Sequence, residues 1–456
     1  MKFKITSLLI CLSACAYALE ITDSLYINEA DNVANLVLSE SVYNEWIEQD
    51  GFSNGYVRVI TKKLYEHFED DFDVIMLISN EQTKPSTISY YGINIAVANS
   101  VKGIGKSTFS NSKIYGSDGK LISVMHLPYV NAIKNGPTLH EFCHCWANFA
   151  IPSVVSGHWG ICGGNTKGQL GGFKQSSLKT NVDNIENKYS VESFGTNANG
   201  GNSVPYNEME LYLMGMLPID AVSEFDAFPI VDKESLGYED EEHTRYTFIS
   251  DNRVHYTQAK IIEDLGKREP DYTTSQKDFK ALFVVISPAP LTSEEWSKCQ
   301  SGIEWFCKQG DDGNNHYYNF WEATNGVGTI DPTGLSKSIK QSKTYKLTLL
   351  VNDELMGQVS GAGEYTAGTS VEIHAIANEG YHFVNWSDGI DNETRTITLN
   401  SDTTLTAYFE ENKTMTAIED SAGEQPSNKS QKTMRNGHIY IIKDGREYDA
   451  QGRELR

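Results

Sequence analysis

Residues 121–150, LISVMHLPYVNAIKNGPTLHEFCHCWANFA, carry the pattern that decides the fold of the larger part of the chain. The apolar run that ends at Leu127 predicts a buried strand. Asn-Gly-Pro at residues 135–137 then predicts a helix start, because proline is tolerated in the first helical turn. Similar strand and helix patterns recur up to about residue 335. The sequence therefore predicts an α+β domain built on a mixed sheet.

The predicted helix contains His140-Glu141-Phe142-Cys143-His144, an HExxH motif. Four helical residues advance about 6 Å and slightly more than one turn, so both imidazoles project from one face and can share a cation. We expect His140 and His144 to bind Zn²⁺ and Glu141 to act as a general base beside them. Apolar neighbours predict that this helix is mostly buried and continues to about Ala150.

A catalytic zinc usually has three protein ligands and one position open to water. His158, in the segment SGHWG, is the predicted third ligand, because the chain can turn back after the helix over the about 9 Å that separate its end from His144. His126, which closes the upstream strand, is an alternative. Glu208 and Glu210 of the segment NEMEL are the others.

Three segments, HEFCH, SGHWG and ELYLMGM, together resemble a group of secreted bacterial metzincin-like peptidases. FWEATNGVGTIDPTG, at residues 320–334, is similar to the end of their catalytic domains. The resemblance implies a zincin-like sheet with an active-site helix, and a turn at Met214 beneath the zinc. The chain departs from the family pattern HExxHxxGxxH, since Ala147 and Ala150 replace its glycine and last histidine. His158 is therefore not matched by the family pattern.

These features predict a zinc-dependent endopeptidase that hydrolyses protein or peptide substrates. A zinc-activated water would attack the carbonyl while Glu141 accepts and returns the proton. Tyr206 or Tyr212 is expected to help stabilise the developing oxyanion. Two alternatives stay open: a surface adhesin with a structural zinc site, and a zinc hydrolase that acts on glycan or peptidoglycan.

The N-terminus and the net charge restrict location and partners. Lys2 and Lys4 precede an apolar run that ends at Ala16-Tyr17-Ala18, so residues 1–18 are predicted to be a signal peptide of a secreted or cell-surface protein. The segment Leu12–Cys15 also resembles a lipobox, which would make Cys15 a lipidated N-terminus. The 456-residue chain has a formal net charge of -23, which disfavours nucleic acid as a partner.

Beyond residues 19–335, the predicted metallopeptidase domain, composition indicates further parts. Residues 336–344 are rich in Ser, Lys and Gln and predict a linker. Residues 345–411 contain short alternating segments between turn residues, which predict a small all-β module. Its motif GYHFVNW resembles the divergent internalin-type bacterial repeat, which implies a possible cell-surface ligand.

The C-terminal part divides into a polar tether, residues 412–431, and a patterned segment, residues 432–456. Asp444-Gly445 between two strand-like runs predicts a hairpin. This segment resembles the C-terminal sorting region of Bacteroidetes proteins and implies recognition by type IX secretion machinery. Among the cysteines, Cys299 and Cys307 are the one pair that we expect to form a disulfide.

Overall fold

The computed structural model describes residues 3–5, 24–49, 51–52, 55–313, 316–340, 343–412, 431–435, 438–443, 445–449 and 452–455. The chain divides into two compact units, Met1–Gln341 and Ser342–Arg456. The predicted signal peptide lies outside the described residues except for residues 3–5, and so does the predicted tether except for residues 412 and 431. Within the described ranges no helix has the length and apolar character needed to cross a membrane.

The first unit mixes helices and strands, which confirms the α+β prediction. Its α-helices are α1 (Glu40–Glu48), α2 (Tyr56–His67), α3 (Ala132–Asn135), α4 (Thr138–Cys143), α5 (Glu208–Met214), α6 (Gln258–Leu265), α7 (Ser293–Cys307) and α8 (Phe320–Ala323). Its strands are β1 (Phe3–Ile5), β2 (Ser24–Ile27), β3 (Ala34–Val37), β4 (Val74–Ser79), β5 (Ile93–Ala96), β6 (Ala98–Asn99), β7 (Phe109–Ser110), β8 (Ser123–Leu127), β9 (Gly160–Gly164), β10 (Gly171–Lys174), β11 (Lys179–Thr180), β12 (Lys188–Glu192), β13 (Phe225–Ala227), β14 (Gly237–Tyr238), β15 (Arg245–Ile249), β16 (Val254–Tyr256), β17 (Asp278–Ser287) and β18 (Thr329–Asp331).

The central sheet has the strand order β1-β2-β3-β17-β4-β8-β5, and β18 pairs with β17. Its middle pairs, β3/β17, β17/β4 and β4/β8, are parallel. Strands β5 and β2 pair antiparallel with their neighbours, so the sheet is mixed. Strand β5 ends this order next to β8, whose chain continues into α3 and α4. The motif helix therefore follows directly from the interior of the sheet.

Both faces of the central sheet are covered by apolar packing. Along β4, Val74, Met76 and Ile78 belong to one core cluster, which also contains Leu139 and Phe142 of α4. The alternate residues of β4 belong to a second cluster, which α1 and α2 cover. This two-sided burial explains why the strand is continuously apolar, since successive side chains of a strand point to opposite faces.

The structure corrects three expectations for the first unit. Helix α4 ends at Cys143, about two turns before Ala150. Cys299 and Cys307 lie eight positions apart on α7, about 12 Å along its axis, and the five cysteines in the described ranges are all free. Within the sequence assigned to a linker, Ser338 is buried and Ile339 bridges to Phe68, so residues 335–340 pack on the first unit.

The second unit contains two small sheets that enclose one apolar cluster. Its strands here are β19 (Thr344–Val351), β20 (Gly357–Ser360), β21 (Gly363–Thr366), β22 (Ser370–Ala377), β23 (Tyr381–Trp386), β24 (Thr394–Thr398) and β25 (Thr403–Glu411). The sheet orders are β21-β19-β25-β23 and β20-β22-β24. Phe383, Trp386 and Phe409 lie in the cluster between them, as expected for alternating strands that bury one face.

The C-terminal segment forms a separate four-stranded antiparallel sheet. Its strands, in spatial order, are β26 (Gln431–Arg435), β27 (His438–Lys443), β28 (Arg446–Tyr448) and β29 (Glu454–Leu455). Strands β27 and β28 pair antiparallel around Gly445, which has the positive φ of 78° that favours glycine in a tight turn. This pair is the predicted hairpin, and the flanking strands extend it.

Candidate metal centre

Helix α4 is short, and contacts from other segments hold it in place. An isolated helix of six residues is unstable, because the conformational entropy lost in nucleation exceeds the free energy gained from so few hydrogen bonds. Here Asn202 Oδ1 accepts a hydrogen bond from the amide of Leu139 at 2.9 Å, and Tyr206 donates to the Leu139 carbonyl at 2.8 Å. Phe142 packs edge-on against Trp146, Phe279 and Phe320. Buried contacts thus fix the orientation of the motif.

Lys106 determines how the chain leaves α4. Its Nζ donates to the carbonyls of His144 and Cys145 and to Oδ1 of Asn148, each at 3.0 Å. In a continued helix these two carbonyls would accept from the amides four residues ahead. A cation is also favourable at the carboxyl end of a helix, so Lys106 stabilises the early end of α4. Burial lowers the pKa of this lysine.

Three histidines converge beyond this helix end. Nε2 of His140 and Nε2 of His144 are 3.1 Å apart, and the ring centroid of His158 lies 5.3 Å from that of His140 and 5.0 Å from that of His144. One ligand atom from each of the three lies within 4.8 Å of the other two. The structure thus brings together the three residues that the sequence selected.

The segment around His158 explains its position. Gly157 has a positive φ of 73°, which permits the turn after the helix exit. The next side chain, Trp159, is fully buried and donates from Nε1 to the Ala147 carbonyl at 2.9 Å. Trp159 is thereby anchored to the chain just after α4. This anchor holds its neighbour His158 close to His140 and His144.

Outer contacts leave the Nε2 atoms of two histidines free to bind a metal. His140 donates from Nδ1 to the Gln169 carbonyl at 2.7 Å, and His158 donates from Nδ1 to the Ser156 carbonyl at 3.1 Å. Nδ1 of His144 is buried and has no partner within the described residues. Burial lowers the pKa of His140 to about 4 and that of His144 to about 2, so both rings are neutral at pH 7. Neutral imidazole is the form that binds metals.

Glu210 is linked to His140 only indirectly, through the backbone. It is fully buried, and its carboxylate accepts from the amides of Gln169 at 3.0 Å, Leu170 at 2.8 Å and Asn207 at 2.9 Å. The carbonyl of Gln169 is the acceptor that orients His140. Burial raises the pKa of Glu210 to about 7, although the hydrogen bonds from the three amides act to lower it. Glu210 therefore supports the proposed ligand His140 through the backbone peptide that lies between them.

The other alternative ligands lie in different surroundings. His126 is fully buried between Trp46 and Phe52 and is bonded to Ser79 Oγ at 2.9 Å and to Tyr90 at 2.8 Å. Glu208, at the first residue of α5, accepts from the Ser223 amide at 2.8 Å. Neither belongs to the histidine group.

Glu141 and the histidines line an open cleft of about 360 Å³. The other lining residues come from the segment around β5 and from the helix exit: Gly92, Ile93, Asn94, Ala96 and Asn148. In the part of the chain that the structure describes, no side chain or amide donates to the Glu141 carboxylate, which leaves it to water or a ligand. Burial raises its pKa to about 8. A nearby cation would act in the opposite direction.

The two tyrosines that were expected to stabilise the oxyanion do not line the cleft. The Tyr206 hydroxyl is used by the Leu139 carbonyl, and neither Tyr206 nor Tyr212 is among the described residues that line the cleft. Met214 is buried in the core and lines a separate small cavity with Trp146 and Arg268. Met214 is the last residue of α5, before the turn at Gly215, and its place beneath a zinc ion stays a prediction.

Sequence reasoning did not find the side chains that hold the centre together. Lys106, Asn94 and Asn202 are single polar residues in ordinary segments, and no motif marks them. Asn94 donates to the Glu141 carbonyl at 2.8 Å and to Ser123 Oγ at 2.8 Å, which fastens α4 to β5 and β8. Only their burial in the folded chain distinguishes them from surface residues.

Residues 347–413 match the family model of the divergent InlB B-repeat domain. The match confirms the resemblance predicted for the β module. No curated protein and no solved structure matches the chain. The zincin character of the first unit therefore stays a hypothesis, which is supported by its own geometry.

Proposed function

We propose that the first unit is a zinc-dependent endopeptidase that is secreted or displayed at the cell surface. The observation that carries the proposal is the convergence of His140, His144 and His158 to within 4.8 Å, on the wall of a cleft that Glu141 also lines. A tetrahedral zinc with bonds of about 2.0–2.1 Å to nitrogen separates two ligand atoms by about 3.3 Å. The 3.1 Å between Nε2 of His140 and of His144 is close to that value.

The histidines would hold the metal, and Glu141 would move the proton. Zinc in such a site polarises a water molecule and lowers its pKa to about 7. Glu141 accepts a proton from the attacking water and passes it to the leaving nitrogen, which its free carboxylate permits. The Gln169 and Ser156 carbonyls keep two of the rings in the tautomer whose Nε2 lone pair faces the cleft.

Peptides suit this cleft because β5 forms one of its walls. Ile93, Asn94 and Ala96 line the cleft, and β5 ends the strand order of the central sheet. An extended peptide can pair with such a strand through main-chain hydrogen bonds, which a glycan cannot reproduce. This feature favours a peptide over glycan or peptidoglycan as the substrate.

The main rival is an adhesin in which the zinc is structural and the second unit binds a surface ligand. Structural zinc sites are closed by four protein ligands, whereas these three histidines border an open cleft. Removal of zinc with phenanthroline should abolish casein cleavage, and added zinc should restore it. Cleavage that continues after complete loss of zinc would refute the proposal, and a zinc-loaded protein that cleaves no protein would favour the adhesin.

A further inference from the structure

Peptide hydrolysis requires a group that stabilises the oxygen of the attacked carbonyl, and the two tyrosines considered for this role do not line the cleft. Asn148 does. It lies four residues after His144, is half-buried, and lines the same cleft as His144 and His158.

The orientation of the Asn148 amide is fixed by Lys106. Lys106 donates from Nζ to Oδ1 of Asn148 at 3.0 Å, and an ammonium group offers donors alone. Oδ1 therefore points to Lys106, which does not line the cleft, and Nδ2 occupies the opposite branch of the planar amide. Within the described ranges, no residue accepts a hydrogen bond from Nδ2. The amide thus keeps two N–H donors that have no partner among the described residues, in a side chain that lines the cleft.

Lys106 also ties this amide to the metal centre. The same Nζ donates to the carbonyls of His144 and Cys145, so one half-buried cation holds His144 and Asn148 in a fixed relation. A donor that is oriented before the substrate binds needs no reorganisation during the reaction.

We infer that Asn148 is a catalytic residue that donates from Nδ2 to the oxygen of the scissile carbonyl, and that Lys106 is its positioning residue. The inference rests on the proposed peptidase function. The oxygen of the water forms a bond to the carbonyl carbon, the π pair moves to the carbonyl oxygen, and Glu141 takes the proton. The pair then returns as the C–N bond breaks, and Glu141 gives the proton to nitrogen. Between these steps, Asn148 donates a hydrogen bond to the negatively charged oxygen and stabilises it.

The test compares Asn148→Ala and the nearly isosteric Asn148→Asp with the wild type, and uses Asn252→Asp, in an exposed loop, as the control. We expect both Asn148 variants to keep zinc and KM while kcat falls about 10²- to 10³-fold, because one oxyanion donor is lost. Affinity for a phosphinic peptide, measured by calorimetry, should fall in the same proportion. Affinity for a product peptide should not change. Lys106→Met should lower kcat less, with an unchanged KM.

Wild-type kcat and phosphinic-peptide affinity in both zinc-loaded Asn148 variants would overturn the inference and leave the peptidase proposal intact. Failure of the peptidase proposal looks different, because the wild type itself would then cleave no peptide or would cleave without zinc.

Discussion

Nε2 of His140 lies 3.1 Å from Nε2 of His144. The Nδ1 proton of His140 is committed to the Gln169 carbonyl, so its Nε2 presents a lone pair to the second ring. This lone pair can accept the Nε2 proton of a neutral His144 ring, or it can bind a cation together with the Nε2 lone pair of that ring. Both arrangements use neutral imidazoles, the form that burial favours by lowering the pKa of both rings. The pair is therefore suited to share a metal ion.

His158→Ala should remove zinc, because His140 and His144 cannot hold it alone. Loss of a residue that only supports a ligand typically lowers metal affinity about 10- to 100-fold. We expect the loss of a ligand itself, in His158→Ala, to lower zinc affinity by more than this. Competition with a chromogenic chelator measures this, with His374→Ala on β22 as the control. Stoichiometric zinc and full cleavage in His158→Ala would refute the three-histidine assignment.

Glu210→Gln should weaken zinc binding about 10- to 100-fold, although Glu210 is not a proposed ligand. Its carboxylate holds the peptide that orients His140, and a glutamine amide would set N–H groups against the backbone amide donors. The free energy of unfolding should fall by about 1–3 kcal/mol. Chelator competition and urea unfolding test both effects, with the exposed Glu263→Gln as the control. Unchanged zinc affinity would contradict this supporting role.

Gly92→Ala should reduce kcat about 10- to 100-fold while zinc is retained. A Cβ at this position would lie 2.6 Å from Pro137 Cγ and 2.9 Å from Glu141 Cγ, so the carboxylate or β5 must move. Gly237→Ala is the matched control, because a Cβ there meets no atom within 4 Å. Cleavage at the wild-type rate would show that the close approach at Gly92 does not set the position of Glu141.

Removal of residues 432–456 should change where the protein is found without lowering its intrinsic activity. The segment forms its own sheet, β26–β29, and its sorting role is a prediction from the sequence alone. Fractionation of cells and medium, together with kcat of the purified shortened protein, separates export from chemistry. Normal delivery of the shortened protein would argue against the sorting role.

Periodic and motif-bearing segments were predictable from sequence. Apolar residues recur every four positions from Tyr56 to Phe68, which is helical spacing, and α2 covers this segment up to His67. The continuous apolar run at Val74–Ile78 is typical of a buried strand, and β4 covers it. His140 and His144 follow from helix geometry. His158 is brought back to the pair by the turn at Gly157, although α4 ends at Cys143 and not near Ala150, the end from which its reach is predicted.

The rest depended on contacts between segments distant in sequence. The end of α4 is set by Lys106, 38 residues before His144, so local propensity overestimated the helix. Glutamate is a residue type that binds zinc, but the fold directs the Glu210 carboxylate to three backbone amides. Sequence spacing cannot reveal such partners.

The central claim is tested most directly by the cleavage rate of Glu141→Gln at full zinc occupancy. Gln has nearly the shape of Glu but cannot accept and return a proton, so the fold and the zinc content should stay as in the wild type. We predict that kcat on a peptide substrate falls about 10²- to 10⁴-fold, the usual contribution of general acid–base catalysis. Cleavage at the wild-type rate by the zinc-loaded Glu141→Gln protein would contradict the account.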